Sequence, residues 1–288
     1  MIDKLEITVD AEVPLRKEIE SKLSSVRKIK DPEPYQKGFE LEDVGLPASL
    51  FRRCRYNGTQ RLCVKRVSGM TVQQISEVIG QVFNSDPWEV RIARLDLALD
   101  LPGISMDCIR DHVRVSHKRD VEPTGTSIYI GSGKDRFRFY DKAAEARFRG
   151  TVPLNNISSE PLSRIERQLR TARIPPQIST LSQLVRNLLY FNPFSPVRLA
   201  EGGKPEPRIQ DYGARDYLSG IGLRELIKQF GYARAYQQIS ECAGGNVGRI
   251  LTRLRDFVPP DPSGFCRLDL FAMYRHSLVR QIGEEVRF

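Results

Sequence analysis

The segment from Arg94 to Asp100 (RLDLALD) alternates leucine with polar or small residues at every position. Successive side chains of a β-strand point to opposite faces, so this period of two predicts a strand with one apolar and one charged face. The three leucines form the apolar face. The charged face carries Arg94, Asp96, Ala98 and Asp100. Two carboxylates therefore share one face of one strand.

Two later segments divide in the same way. In the segment 136–142, Phe137 and Phe139 are opposed by Arg136, Arg138, Tyr140 and Lys142. In the segment 164–170, Ile165 and Leu169 are opposed by Arg164, Glu166, Gln168 and Arg170. Three strands with the same division predict an antiparallel sheet that has helices on one face and a polar, arginine-rich face on the other.

The strand Ser127–Ile130 precedes Arg136 across the glycine-containing loop Gly131–Lys134. A loop of two or four residues predicts that Tyr129 pairs with Arg136 and Ser127 with Arg138. Tyr129 would then share the face of Tyr140. A three-residue turn would reverse this assignment.

The remaining segments follow common local signals, and together they predict an α+β fold. A strand is expected at Leu5–Val9, a loop over 27–47, a hairpin around Asn57-Gly58, and helices starting at Thr71 and over 106–117. The C-terminal part is rich in helical patterns, over 181–190, 223–230, 232–242, 247–257 and 269–286. We therefore expect one domain over 1–200 and a helical region for DNA binding or oligomerisation over 201–288.

The chain has 45 Lys and Arg against 36 Asp and Glu, a net charge of +9. Arginine forks fit phosphate, so the excess favours polyanionic partners. The 40% of hydrophobic residues excludes wholesale disorder. No apolar run approaches the length of about 20 residues needed to span a membrane, and no export signal is visible, which predicts a cytoplasmic protein. The five cysteines and three histidines form no metal-binding motif, so any metal must bind carboxylates.

A pair of carboxylates can hold Mg²⁺ or Mn²⁺, and a tyrosine can act as a covalent nucleophile when cations or a metal activate it. Asp96 and Asp100 lie roughly 13 Å apart in an extended strand at about 3.3 Å per residue, so they cannot share one ion unless the strand bulges. This favours Asp96 with Glu166 as ligands and leaves Asp100 as a weaker candidate. Ordinary ion pairs are the alternative for all three carboxylates.

The segments Arg94–Asp100, Ile128–Ser132, Arg138–Lys142 and Arg164–Glu166 together resemble the replication initiation factor family, over roughly residues 88–195. These rolling-circle initiators of plasmids and filamentous phages are related to conjugative relaxases. The resemblance implies a metal-dependent DNA nicking-closing endonuclease that forms a 5′-phosphotyrosyl intermediate, with residues 1–200 as its relaxase-like nicking domain and the polar face of the sheet as its catalytic face. It implies Tyr140 as nucleophile, Asp96 and Glu166 as metal ligands, and Arg138, Lys142 and Arg164 as phosphate contacts.

Several alternatives stay open. Tyr129 is the rival nucleophile, and Tyr140 could be structural. The DNA-binding face would also include Arg94, Arg136 and Arg170, and the basic hairpin around Asn57 is either a DNA contact or a solvated ribbon. A host helicase and a homodimer are further candidate partners. The competing function is a non-catalytic DNA-binding regulator; a tyrosine recombinase is disfavoured because no tyrosine follows His276.

Overall fold

The computed structural model describes residues 1–30, 33–116, 121–124, 127–131, 133–149, 161–200, 210, 213–243, 257–258 and 264–282. These residues form a large antiparallel sheet and a set of helices, which confirms the predicted α+β class. None of the helices in these ranges is both long and apolar enough to cross a membrane.

The Cα positions divide the chain into two compact units. Unit 1 comprises residues 1–98, 167–193 and 271–288, and unit 2 comprises residues 99–166 and 194–270. These units do not coincide with the predicted boundary at residue 200. That boundary also concerns a division of function, and it stays a prediction.

The strands of unit 1 have the order β2-β3-β4-β1-β5. They are β1 (Ile2–Val9), β2 (Tyr35–Glu40), β3 (Ala48–Cys54), β4 (Gln60–Val64) and the Arg91–Ala98 part of β5 (Arg91–Pro102). The β3–β4 hairpin around Asn57-Gly58 confirms the prediction from that dipeptide. At its tip, the Asn57 side-chain oxygen accepts hydrogen bonds from the backbone and hydroxyl of Thr59.

The prediction of a loop over 27–47 is wrong, because β2 lies within it and pairs with β3. Tyr35 and Phe39 are buried, but Lys37, which shares their face by alternation, is exposed. The hydrophobic pattern of β2 is therefore interrupted. Its backbone bonds to β3, rather than its own side-chain pattern, decide that it is a strand.

The α-helices described in unit 1 are α1 (Lys17–Lys22), α2 (Val72–Val82), α5 (Leu181–Asn187) and α8 (Leu270–Ile282), the last from its second residue onward. Helix α2 begins with the predicted capping box, in which Thr71 and Gln74 bond each other's backbone N–H. From α8, buried Gln281 donates to the carbonyls of Ile2 and Val67 and accepts from the Ile2 N–H. The end of the described chain is thus bonded to its beginning.

The sheet of unit 2 has the order β5-β10-β9-β8-β7. Its strands are the end of β5, β7 (Val121–Thr124), β8 (Ser127–Ile130), β9 (Asp135–Asp141) and the 162–166 part of β10 (Leu162–Arg170). A small second sheet pairs β6 (Val113–Val115) with β11 (Val197–Leu199). Strands β5 and β10 are each divided between the two units, β5 after Ala98 and β10 after Glu166.

Among its described residues, unit 2 has the α-helices α3 (Met106–His112), α4 (Lys142–Arg149), α6 (Ala214–Phe230) and α7 (Tyr232–Ala243). Helix α3 ends at His112, not at residue 117 as predicted, because Val113–Val115 pair with β11 instead of continuing the helix. Helices α6 and α7 contain both predicted segments and pack around Leu223, Ile227 and Phe257. The helix predicted over 247–257 lies almost wholly outside the described residues.

The β8–β9 hairpin pairs Ser127 with Tyr140 and Tyr129 with Arg138. The predicted partners were therefore wrong by two residues, because six residues (131–136) separate the last pair, Ile130 and Phe137. A shift of two preserves the faces of both strands, so the predicted face of Ser127 and Tyr129 is correct. Lys142, which alternation placed on the face of Arg138 and Tyr140, instead begins α4.

Candidate functional site

The candidate site of unit 2 is centred on Tyr140 at the end of β9. This side chain is buried, since the residue is only 3% exposed. The guanidinium carbon of Arg138 lies 3.9 Å from the centre of its ring, the geometry of a cation–π contact. The two residues are two positions apart in β9, so strand alternation alone places them on the same face.

Arg138 connects Tyr140 to several other groups. Its Nη2 donates to Glu145 Oε1 at 3.2 Å and to Ser127 Oγ at 3.4 Å, and its Nη1 lies 4.0 Å from Glu166 Oε2. Burial by itself would lower the pKa of Arg138, but the nearby Tyr129, Glu145, Tyr140 and Glu166 outweigh it and raise that pKa above its usual value. Arg138 is therefore a permanent cation against the face of Tyr140.

A second group of charges surrounds Asp100. Its Oδ1 accepts from Arg164 Nε at 2.5 Å, and its Oδ2 accepts from Arg164 Nη2 at 2.9 Å and from Lys142 Nζ at 3.2 Å. Arg164 is buried in β10, whereas Lys142 is half-buried at the start of α4. In that first turn, Asp141 Oδ1 accepts the backbone N–H of Ala144 at 2.8 Å, which fixes where the helix leaves β9.

The rival nucleophile Tyr129 is more accessible than Tyr140, since it is only half-buried. The guanidinium of Arg136 lies 4.9 Å from the centre of its ring, and that of Arg138 lies 5.8 Å away. Both tyrosines of this hairpin therefore have an arginine guanidinium against the ring. They differ in solvent exposure, since Tyr129 is half-buried and Tyr140 is buried.

Asp96 belongs to unit 1 and forms a different arrangement. Both of its oxygens accept from Arg94, at distances of 2.6 to 3.1 Å, and the residue is 1% exposed. Arg94 also lies 3.8 Å from buried Glu6. Arg170, at the end of β10, is exposed.

The polar face expected from the sequence is thus only partly exposed to solvent. Asp96, Tyr140 and Glu166 were expected to be presented on it, but each is nearly completely buried. The alternation of side chains along each strand assigned the faces correctly. It contains no information on which segments cover a face. Arginines from the same and neighbouring strands balance the buried carboxylates.

The predicted metal ligands do not fit an ion in their present arrangement. Both oxygens of Asp96 and both of Asp100 accept hydrogen bonds from cationic side chains. Among the described residues, no three His, Cys, Asp or Glu side chains are grouped so as to hold a metal. We therefore derive no chemical step through a metal.

Sequence reasoning missed Glu145, the carboxylate closest to Arg138 within this cluster. It lies seven residues beyond Arg138 and in a different element, so no strand or helix periodicity relates the two. The turn of the chain from β9 directly into α4 brings them together. Aspartate is a common residue at the start of a helix, and Asp141, which accepts the Ala144 N–H there, is the local signal from which this turn could be predicted.

Neither the models of known protein families nor the curated proteins match this chain.

Proposed function

We propose that this chain nicks and rejoins one strand of DNA at a replication origin, and so starts rolling-circle replication of a phage or plasmid. Tyr140 is the proposed nucleophile. The observation that carries the proposal is the contact between Tyr140 and Arg138, 3.9 Å from ring centre to guanidinium. Negative charge that develops on the phenol oxygen during attack is favoured by a nearby fixed cation.

In the proposed reaction, the Tyr140 oxygen attacks a backbone phosphorus and the bond from phosphorus to the 3′ oxygen breaks. The product is a 5′-phosphotyrosyl link and a free 3′ hydroxyl, which receives the proton that the phenol loses. The reverse reaction rejoins the ends, because the energy of the phosphodiester is retained in the tyrosyl link.

The proposed phosphate contacts differ in how readily they can reach DNA. Lys142 and Arg138 are partly exposed, and Arg136 lies on the accessible Tyr129. Arg164 is buried against Asp100, so its role in this arrangement is to orient Asp100 rather than to meet phosphate. Arg94 and Arg170, assigned to DNA binding from their strand face, lie in unit 1.

Burial of Tyr140 sets a condition on the mechanism: DNA binding must uncover its hydroxyl. The divalent ion implied by the resemblance, with Asp96, Glu166 and Asp100 as candidate ligands, stays a prediction. It requires that the arginines and Lys142 release those carboxylates. Nicking that continues undiminished in excess chelator would exclude a metal requirement.

The decisive test is incubation with labelled single-stranded origin libraries and Mn²⁺, followed by mapping of any covalent protein–DNA adduct. The proposal expects an adduct at Tyr140, abolished in Tyr140→Phe and retained in the matched variant Tyr129→Phe. An adduct that maps to Tyr129 would move the nucleophile. A folded Tyr140→Phe protein that still forms adduct would refute the role of Tyr140.

The burial of Tyr140, Asp96 and Glu166 favours a second candidate function. A non-catalytic DNA-binding regulator needs no exposed nucleophile, and its carboxylates can all be held in ion pairs, as they are here. It predicts salt-sensitive DNA binding with no adduct under any metal condition. Either function places the protein in the host cytoplasm, where the origin DNA is. A host helicase and a second copy of the chain are the further proposed partners of the nicking enzyme.

A further inference from the structure

Unit 1 contains a cavity of about 420 Å³ beside β2, remote in sequence from the tyrosine cluster. Its lining combines two chemistries. Leu23, Ile29 and Phe39 are apolar, and the cationic side chains are Lys28, Lys37 and Arg52. The volume lies within the range of roughly 300–1,000 Å³ that is typical of small-molecule sites.

The cations of this cavity are poorly neutralised. Glu20 is the one carboxylate among the lining residues; it has an ion pair with Arg52 at 3.9 Å, and its side chain is 59% exposed, so solvent screens that pair. Within the described ranges, no carboxylate lies in ion-pair contact with Lys28 or Lys37. The lining therefore carries more positive than negative charge.

The register of β2 and β3 adds a second, independent observation. Lys37 lies directly opposite Arg52 in this antiparallel pair. Like charges at directly opposite positions destabilise a sheet. An anion bound between the two side chains would remove that repulsion.

Lysines on outer strands commonly serve to block unwanted strand pairing, which would be the simplest explanation of Lys37. This side of β2 already has backbone partners, however. Ile29 N donates to Gly38 O and Glu40 N donates to Arg27 O, both at 2.9 Å, and Lys28 forms a bridge with Phe39. The segment 27–29 thus covers the strand edge without help from a charge.

We propose that this cavity binds one nucleotide unit, with its phosphate between Lys28, Lys37 and Arg52 and its base against the apolar lining. Gln36 and Ser24, which also line the cavity, supply hydrogen-bonding groups for a base edge. A small inorganic anion would leave the apolar surface uncovered, and a hydrocarbon would leave the cations unpaired. The nucleotide is either free or part of a DNA strand, and the site does not depend on nicking by Tyr140.

The test is a titration of the full chain, labelled with ¹⁵N, with deoxyadenosine monophosphate. We expect shifts of the Gly38 and Phe39 amide signals, and binding at least about tenfold tighter than that of inorganic phosphate or deoxyadenosine alone. The variant Lys28→Gln/Lys37→Gln should weaken binding at least about tenfold, since it removes two charge-assisted contacts. The matched control Lys17→Gln/Lys30→Gln makes the same charge change outside the cavity and should bind normally.

Equal binding by the two double variants would overturn the proposal, as would phosphate binding as tightly as the nucleotide. A hexamer of deoxyadenylate separates the two sources. Tighter binding of the hexamer than of the monomer identifies a DNA strand as the source, and equal or weaker binding identifies a free nucleotide. Tyr140→Phe should bind the monomer normally, so this result stands apart from the outcome of the nicking test.

Discussion

Asp96 and Asp100 lie four residues apart on β5, and each is held by an arginine, but the two ion pairs are built differently. Asp96 is 1% exposed, and its arginine, Arg94, comes from the same strand. Asp100 has a side chain that is 28% exposed, and its partners, Arg164 and Lys142, come from β10 and α4. The first pair is local and buried; the second is made by tertiary contacts and retains access to solvent.

The difference teaches which carboxylate the fold needs and which it can spare. A buried charge that loses its partner is strongly destabilising, whereas a partly exposed one is stabilised by water and by any second cation. Asp96 therefore contributes to the stability of unit 1 whatever else it does. Asp100 has the greater freedom to release its cationic partners, because its side chain is 28% exposed.

The largest expected effect is that of Arg94→Met, which leaves Asp96 buried without its cation. We expect the free energy of unfolding to fall by about 3 kcal/mol, measured by urea denaturation at pH 7. Arg91→Met on the same strand is the matched control, because both partners of the Arg91–Asp10 pair are about two-thirds exposed. It should cost less than about 0.5 kcal/mol, and similar losses in both variants would contradict the comparison.

Gln281→Ala tests whether the end of the chain belongs to the stability of unit 1. It removes three hydrogen bonds to Ile2 and Val67 and leaves the Ile2 N–H buried without that acceptor. We expect a loss of about 2 kcal/mol in the same denaturation experiment. The control Gln73→Ala lies on the exposed side of α2, where Gln73 bonds exposed Glu77, and should have little effect. An unchanged midpoint for Gln281→Ala would refute the connection between the chain ends.

Arg164→Met should be milder than Arg94→Met, although Arg164 is itself buried. Asp100 retains Lys142 and its contact with solvent, so we expect a loss of about 1 kcal/mol. The combined variant Arg164→Met/Lys142→Gln should lose more than the sum of the single losses, because the two cations substitute for each other. Strict additivity would show that the two cations act independently and do not substitute for each other.

The smallest expected effects are those of pH on stability. They have opposite signs for Glu42 in unit 1 and Asp111 in unit 2. In unit 1, the hydrogen bond from Lys65 lowers the pKa of Glu42. The ionised Glu42 carboxylate therefore stabilises the fold at neutral pH, and this stabilisation is lost as the pH falls through the lowered pKa. In unit 2, burial raises the pKa of Asp111, so the folded state prefers the protonated form and loses stability as the pH rises above about 4.

Accordingly, Glu42→Gln should lower the melting temperature at pH 7 and have less effect at pH 3. Asp111→Asn should raise stability at pH 7, by no more than about 0.5 kcal/mol because the residue is only half-buried and solvent screens its charge, with no gain at pH 3. Thermal melts at both pH values measure these changes. A change of the same sign in both variants at pH 7 would contradict the assigned causes.

Local sequence patterns were sufficient to predict an element when all the residues that determine it lie within that element. The alternation of β5, the capping box of Thr71 and Gln74, and the Asn57-Gly58 hairpin each depend on neighbours within a few residues. The β8–β9 faces were also predictable, although the partners were not, because a shift of two residues keeps every side chain on its face. Strand β2 was not predictable, since its pairing with β3 outweighs an interrupted pattern.

For the candidate site, the sequence by itself determined that Arg138 and Tyr140 share a face, because adjacent odd or even positions of a strand always do. It likewise determined that Arg94 lies beside Asp96. Only the tertiary structure decided that Tyr140 and Glu166 are buried, that Asp100 binds Arg164 and Lys142, and that Glu145 reaches Arg138. The physical reason is that periodicity describes a strand relative to itself, whereas burial and ion pairing depend on which distant segments pack against it.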